Sequence, residues 1–297
     1  MRYWALLIGV LALTSTGAAA QTQPAPAHLF SPVYDRSSPF LKFFRDAEWY
    51  FSVGVNKEYW GNSDIHVSQP SQGNDFTIHD VQGHDEAGFG GSLFGPQYNI
   101  RVGRFINDAR TVAIELSFDH TKFTATDGQT AQVTGTIGGA PVNGPRTLNA
   151  AFFQYVLHNG ANNLMLNAVY RMPLIGQTNE SLSLAGIAKL GAGIMVPHAS
   201  NTILGQSNSV GDKTPGNWIG IHNGWWQIGD GWIAGGELGL RFVVYKPVYI
   251  ELTDKLAYSS MYDLPAYAGL IKQNVWMNEV IFSVGYTFDG GTKYGSR

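Results

Sequence analysis

Eight segments of this chain place apolar side chains at every second position, and that period of two restricts its fold more than any other feature. The clearest is Thr111 to Phe123, where Val112, Ile114, Leu116 and Phe118 alternate with Ala113, Glu115, Ser117 and Asp119. Trp49, Phe51, Val53 and Val55 form the first such row, and Tyr98, Ile100 and Val102 the second. After the third come Leu164, Leu166, Ala168 and Tyr170, then Ala188, Leu190, Ala192 and Ile194. The sixth is Ile233, Leu238, Leu240 and Phe242, with an irregularity expected at Gly235 and Gly236. Ile250, Leu252, Leu256 and Tyr258 make the seventh, and Val280, Phe282, Val284, Tyr286 and Phe288 the last. The intervening positions are small, polar or charged. A half-buried strand of a soluble sandwich has the same period, so the number of repeats and the destination of the chain must separate the two.

The destination is written at the start. Arg2, the apolar run Trp4 to Leu13 and Ala18-Ala19-Ala20 before Gln21 have the three parts of a secretory signal. The apolar run is shorter than the roughly 20 residues a membrane helix needs, so residues 1–20 read as a removable signal peptide. Charged residues are only 14% of the chain against 44% hydrophobic, which is little charge for a soluble surface and ordinary for a lipid-facing belt. A net charge of -3 argues against a nucleic-acid partner, and with no cysteine neither disulfides nor thiolate metal sites are available.

An even number of alternating segments, each long enough to cross a bilayer at a tilt, predicts an all-β fold: an eight-stranded antiparallel transmembrane β-barrel with long extracellular loops. Closure is required because lipid pairs no backbone polar group. The expected layout is a periplasmic segment over 21–48, with a short helix around Phe40, Phe43 and Phe44, the barrel over 49–288 and a tail over 289–297. Connections alternate in length. Asn107 to Arg110, Met172 to Ser181 and Tyr245 to Val248 read as periplasmic turns, and Gly61 to Phe94, Thr124 to Ala161, Ala199 to Asp230 and Met261 to Gln273 as outer loops. The barrel belongs in the outer membrane of a Gram-negative bacterium, as a monomer among outer-membrane lipids.

The inward positions carry Glu58, Glu115, Asp119, Glu237, Glu251 and Glu279 against Arg101, Arg171, Lys189, Arg241 and Lys255. Near neutrality reads as a plug of paired charges, since an unpaired charge there is costly. A sharper reading places Asp119 and Lys255 in a site opening to the outer leaflet. Histidines add to it: of eight, only His28 falls on the periplasmic side. His79, Asp80, His84, Asp85 and Glu86 lie close together in the first loop, a spacing that suits a divalent cation or a solvated loop. His120 and His198 end the third and fifth strands. Strict alternation turns both outward, so either they stand above the hydrocarbon or a local bulge beside Pro197 turns them in. With a carboxylate such as Asp119 or Glu251 they would make a two-histidine, one-carboxylate set for iron or a similar divalent transition metal; the alternative, which the residues by themselves favour, is a pair of interfacial histidines meeting lipid head groups.

Pro197 to Asn201, PHASN, resembles the His-x-Ser-Asn motif of outer-membrane lipid A deacylases, in which His198 and Ser200 would be base and nucleophile. A wider resemblance covers strands three to eight. FDHTKF (Phe118 to Phe123), HNGANNLMLNAVYRMP (His158 to Pro173), GAGIMVPH (Gly191 to His198) and IELTDKLAY (Ile250 to Tyr258) are similar in order and spacing to blocks of the outer-membrane lipid A oxidase family. The departures are the long first loop, the glycine-rich second loop and Leu-Thr-Asp-Lys in place of a shorter Glu-Tyr-Lys-like run. The resemblance implies metal- and oxygen-dependent oxidation of the proximal glucosamine of lipid A, the lipid anchor of lipopolysaccharide, to an aminogluconate. It assigns His120, Lys122, Asn163, His198 and Lys255 to matching positions, where the histidines can hold a metal and a lysine can meet a lipid phosphate. Together with the residue reading this makes His120, His198, Asp119 and Lys255 the candidate catalytic set and Lys122, Asn163 and Glu251 the candidate substrate contacts. The rivals are a non-enzymatic barrel, either a channel for small apolar solutes or a structural or adhesive protein, and a lipid A deacylase.

Overall fold

A computed structural model describes residues 47–85, 97–157, 159–177, 180–209, 218–221 and 224–289, all within one compact unit, Pro39–Arg297. The signal peptide, the helix around Phe40, most of the 21–48 segment, Glu86 and the tail from residue 290 lie outside the described residues. The eight barrel strands are β1 (Glu48–Trp60), β2 (Tyr98–Phe105), β3 (Val112–Asp119), β4 (Ala161–Ile175), β5 (Ser183–Pro197), β6 (Gly231–Tyr245), β7 (Val248–Ala266) and β8 (Gly269–Asp289). Each pairs antiparallel with its neighbours in the ring, and β8 returns to β1 from Glu48↔Asp289 to Trp60↔Met277, which closes it. All eight segments read from the alternation are strands of this ring.

Burial follows the alternation. Leu116, Leu166, Leu190 and Leu238 are 50%, 60%, 72% and 68% exposed, while Glu115, Asp119 and Glu279 on the other face are fully buried. An outer wall of exposed leucine, valine and phenylalanine is unstable in water and at home in hydrocarbon. Tyr59, Trp232 and Trp276 edge this belt toward the outer ends of the strands, and Tyr170, Tyr245, Tyr286 and Phe288 toward the inner ends. A closed antiparallel ring with an apolar belt between two aromatic girdles is an outer-membrane β-barrel. No described helix is long and apolar enough to cross a membrane, so the strands make the crossing.

Two inward glycines are explained by space. A Cβ on Gly103 would stand 2.0 Å from the Tyr50 ring, and one on Gly285 2.1 Å from the Tyr249 ring. Both tyrosines lie flat inside the lower barrel because their neighbours have no side chain.

The structure corrects two details. The register of β6 runs unbroken past Gly235 and Gly236, so Ile233 faces inward and Trp232 outward. Met261 to Gln273 is not a loop: β7 and β8 continue above the bilayer and turn at Tyr267-Ala268.

The described parts of the outer loops are largely sheet. Ser63–Gln69 pairs with the extended β8, followed in order by Asn74–Val81, Thr130–Ile137 and Ala140–Thr147. A second sheet runs Gln206–Ser209, Ser200–Ile203, Phe153–Val156, Thr124–Ala125, Gly83–His84. Ile65, Val67, Phe76, Ile78, Phe123, Val133, Phe153 and Tyr155 are buried in one apolar cluster that reaches down to Met165, Met195, Met261 and Met277 on the barrel strands. The mouth of the barrel is therefore stoppered by hydrocarbon side chains.

Candidate functional site

Below that stopper all eleven charged residues expected inside the barrel are buried. Nine of them, all but Glu58 and Arg171, form one connected network of ion pairs, while Glu58 accepts from Asn56 and Gln97. Lys189 reaches Glu115 at 3.2 Å and Glu237 and Glu251 at 2.9 Å each. Arg241 pairs with Glu251 at 2.6 Å, its guanidinium lying between the Tyr50 and Tyr249 rings at 4.6 and 4.1 Å. Arg101 donates to Asp119 at 2.5 Å, and Lys255 donates to the other Asp119 oxygen at 2.5 Å while also pairing with Glu279. At the inner end Glu48, assigned to the leader from sequence, holds Arg110 at 2.7 Å and Arg171 at 3.4 Å. In a low-dielectric shell the pairs Lys189–Glu115, Lys189–Glu251, Lys255–Asp119 and Arg171–Glu48 brace strands that share no backbone hydrogen bond.

This placement decides what the predicted site residues can do. Asp119, Lys255 and Asn163 are together, with Lys255 Nζ 3.4 Å from Asn163 Oδ1, but they are buried beneath the apolar stopper rather than open to the leaflet. Both oxygens of Asp119 are occupied by cations. Glu251 belongs to the Lys189–Arg241 cluster, away from the rim.

His120 and His198 stand at the rim where β3, β4 and β5 end. Asn162, at the start of β4, donates its amide to the Val196 carbonyl at 3.0 Å, so its Oδ1 accepts from His120 Nδ1 at 2.6 Å. The His120 ring stacks on Tyr98 with centroids 5.0 Å apart. His198 donates its backbone N–H to Gly160 at 2.8 Å, its Nδ1–H to the Trp225 carbonyl, and stacks on the Trp225 ring at 4.0 Å. Both rings thus hold the tautomer in which Nε2 is the basic nitrogen, the state a general base or a metal-ligating histidine needs. Gly160 adopts φ +131°, and a Cβ there would lie 2.0 Å from the Asn162 amide. The glycine and asparagine of HNGANN therefore belong to one device that fixes the two histidines. Asn162 was missed from sequence because nothing but the β3–β4 register places it opposite His120.

Among the described residues no group of three His, Asp or Glu could hold a metal ion. Asp119 faces the other side of the wall, so the two-histidine, one-carboxylate set is not gathered. His79 and His84 are dispersed too: His79 bridges Asp64 at 2.9 Å and Thr134 at 2.7 Å, His84 meets Thr126 at 3.1 Å, and Asp85 is turned inward onto Lys57 and Gln97. Lys122 is half-buried, its carbonyl accepting from Trp60 Nε1 at 2.8 Å. Ser200 lies in the strand opposite Val156, and His198 Nδ1 is already committed to Trp225.

No protein-family model and no curated protein matches the chain. Similar solved structures include Neisserial surface protein A, 12% identical over 81% of this chain and 97% of that one, with a TM-score of 0.34. The outer membrane protein OprG from Pseudomonas aeruginosa is 11% identical over 83% and 98%, with a TM-score of 0.33. The outer membrane protein AlkL is 11% identical over 93% and 99%, with a TM-score of 0.32.

Proposed function

We propose that this outer-membrane barrel modifies lipid A from the outer leaflet and that its working face is the rim where β3, β4 and β5 end. One observation supports the reading: blocks far apart in sequence, FDHTKF, HNGANNLMLN and GAGIMVPH, bring His120, Asn162 and His198 to adjoining strand ends through a shared set of hydrogen bonds. Within that rim the histidines accept protons at Nε2, Lys122 offers a point charge to a lipid phosphate, and Asp119 with Lys255 braces the wall from inside.

Oxidation of the proximal glucosamine is the reaction the resemblance implies. The donor set among the described residues is incomplete for a metal, so no step is assigned to one. A second reading is favoured by the filled interior and the ordered outer sheets: a barrel that presents an extracellular binding surface and has no chemistry of its own. A solute channel along the axis conflicts with the ion network and the apolar stopper.

Mass spectrometry of lipid A from cells with and without the protein tests both. A gain of one oxygen that disappears in His120→Ala, His198→Ala and Asn162→Leu supports oxidation at the rim. Loss of an acyl chain assigns deacylation instead, and an unchanged mass removes the enzymatic reading.

A further inference from the structure

At its inner end the barrel holds a buried guanidinium that is only partly engaged. Pro173, Ala185, Arg241 and Glu251 form one cross-strand row on the inward face of β4, β5, β6 and β7. Arg241 turns toward β7, where Nε and Nη2 both reach Glu251 Oε2 at 2.6 Å. Its Nη1 is buried and has no hydrogen-bond partner among the described residues. Leaving a donor of a charged group buried and unpaired is costly, so an acceptor is expected beside it.

Space for one lies on the other side of Arg241, over β5. A cleft of about 240 Å³ is lined there by Arg171, Gln177, Ser183, Ala185 and Arg241, and it passes exposed Pro173 to the inner mouth of the barrel. The gap exists because Ala185 contributes a single methyl group to the row between β4 and Arg241. Its deep end admits one oxygen-sized group. Both charged residues in the lining are arginines, so the cleft favours an anion. Arg171 also has capacity left: Nε and Nη2 donate to the Arg110 carbonyl at 3.0 and 2.7 Å, but Nη1 reaches Glu48 at only 3.4 Å, and that carboxylate serves Arg110 at 2.7 Å as well. The Ser183 hydroxyl adds no donor, since it donates to the Glu180 carbonyl at 2.6 Å.

We propose that this cleft is a binding site for one oxyanion group, carboxylate or phosphate, presented from the periplasmic side. Its leading oxygen accepts from Arg241 Nη1 and Arg171 Nη1, and the rest of the group lies toward the Gln177 amide. The site is at the opposite end of the barrel from the histidine rim and stands whether or not the barrel is an enzyme.

The test uses the refolded full chain, with nitrogen-15 arginine, in maltoside micelles whose head groups are uncharged. Acetate, inorganic phosphate and a short-chain phosphatidylglycerol are titrated separately, and binding is read from the guanidinium NMR signals of Arg171 and Arg241. A saturable shift is expected. Saturation by acetate or phosphate assigns the oxyanion to soluble periplasmic compounds, and saturation by phosphatidylglycerol alone assigns it to a phospholipid head group. Ala185→Leu fills the gap without touching a charge, and Arg241→Lys keeps a cation for Glu251 while removing Nη1. Each should weaken binding roughly tenfold or more, the loss of one hydrogen bond from a charged donor, with heat-modifiable migration unchanged. Where Ala185→Leu fails to fold, Arg241→Lys, read from Arg171, decides by the same criterion. No saturable shift with any probe means that water alone fills the cleft and overturns the proposal. Undiminished binding in a folded variant overturns it too, as does displacement by chloride at equal concentration, which marks an adventitious ion only.

Discussion

Replacing Lys189 by Met keeps most of the side-chain volume and removes one charge, yet it should be among the most damaging single changes in the barrel. The ammonium lies within 3.2 Å of three carboxylates, Glu115, Glu237 and Glu251. At an effective dielectric of about 20, each contact near 3 Å has a gross attraction of roughly 5 kcal/mol. Desolvation and local relaxation cancel most of that sum. The comparison that survives is the measured cost of breaking a buried pair, about 3–5 kcal/mol: Glu251 keeps Arg241 at 2.6 Å, but Glu115 and Glu237 are left with Arg101 at 3.9 and 3.7 Å as their cation, which puts Lys189→Met within that range. The assay is guanidinium unfolding in lipid vesicles, followed by tryptophan fluorescence and gel mobility, with Leu190→Ala as the control one residue away. Leu190 is 72% exposed, so trimming it exchanges one lipid contact for another and should cost under about 1 kcal/mol. The triple variant Lys189→Met, Glu115→Gln, Glu237→Gln should recover at least half the loss. If Lys189→Met unfolds within about 0.5 kcal/mol of the unsubstituted barrel, or Leu190→Ala costs as much, the interior network does not brace the strands.

Other perturbations separate the layers of the molecule. Phe123 is fully buried and meets Trp60 and Tyr155 with ring centroids at 5.3 and 5.7 Å, so Phe123→Ala should cost about 3–5 kcal/mol and open the outer sheets to proteolysis before the barrel unfolds. Gly160→Ala should displace the Asn162 amide and release His120, seen as a change in the His120 imidazole NMR signals without loss of heat-modifiable migration. Burial acts to raise the Asp64 carboxyl, but the Asp80 N–H at 2.9 Å and the His79 ring hold it below the ordinary aspartate range. Its contribution is therefore present at neutral pH and lost as pH falls through that lowered value; His79→Ala should shift the carbon-detected titration back upward.

Lipid contact made the barrel legible. Each of Val112, Ile114, Leu116 and Phe118 meets hydrocarbon and each of Ala113, Glu115, Ser117 and Asp119 meets the interior, so the strand could be read without any tertiary information. Above the bilayer that rule lapses. Beyond Tyr258 the outward positions Ser260 and Tyr262 are no longer all apolar, and the upper β7–β8 hairpin read as a loop although Met261, Leu264 and Ile271 are still buried. A weaker form of the signal was there in the first loop, where Ile65 and Val67, then Phe76 and Ile78, alternate and do pack inward. For the rim, sequence identified His120 and His198 but not what fixes them. Asn162, Gly160 and Trp225 act through cross-strand register and a distant loop, which spacing along one chain does not reveal. The opposite error concerned Asp119 and Lys255: proximity to a strand end suggested exposure, whereas the outer sheets extend the apolar core over them.

The central claim, that the greasy faces of eight strands meet lipid around a filled interior, is tested most directly by spin labels. The chain has no cysteine, so single cysteines can be placed along residues 112–119 and at Leu166, Leu190 and Leu238 without competing thiols. In vesicles, labels at Ile114, Leu116, Leu166, Leu190 and Leu238 should collide with dissolved oxygen and be shielded from a water-soluble nickel reagent, while those at Ala113 and Ser117 are reached by neither. Nickel accessibility at the leucines, or accessibility along β3 without a period of two, would contradict the account.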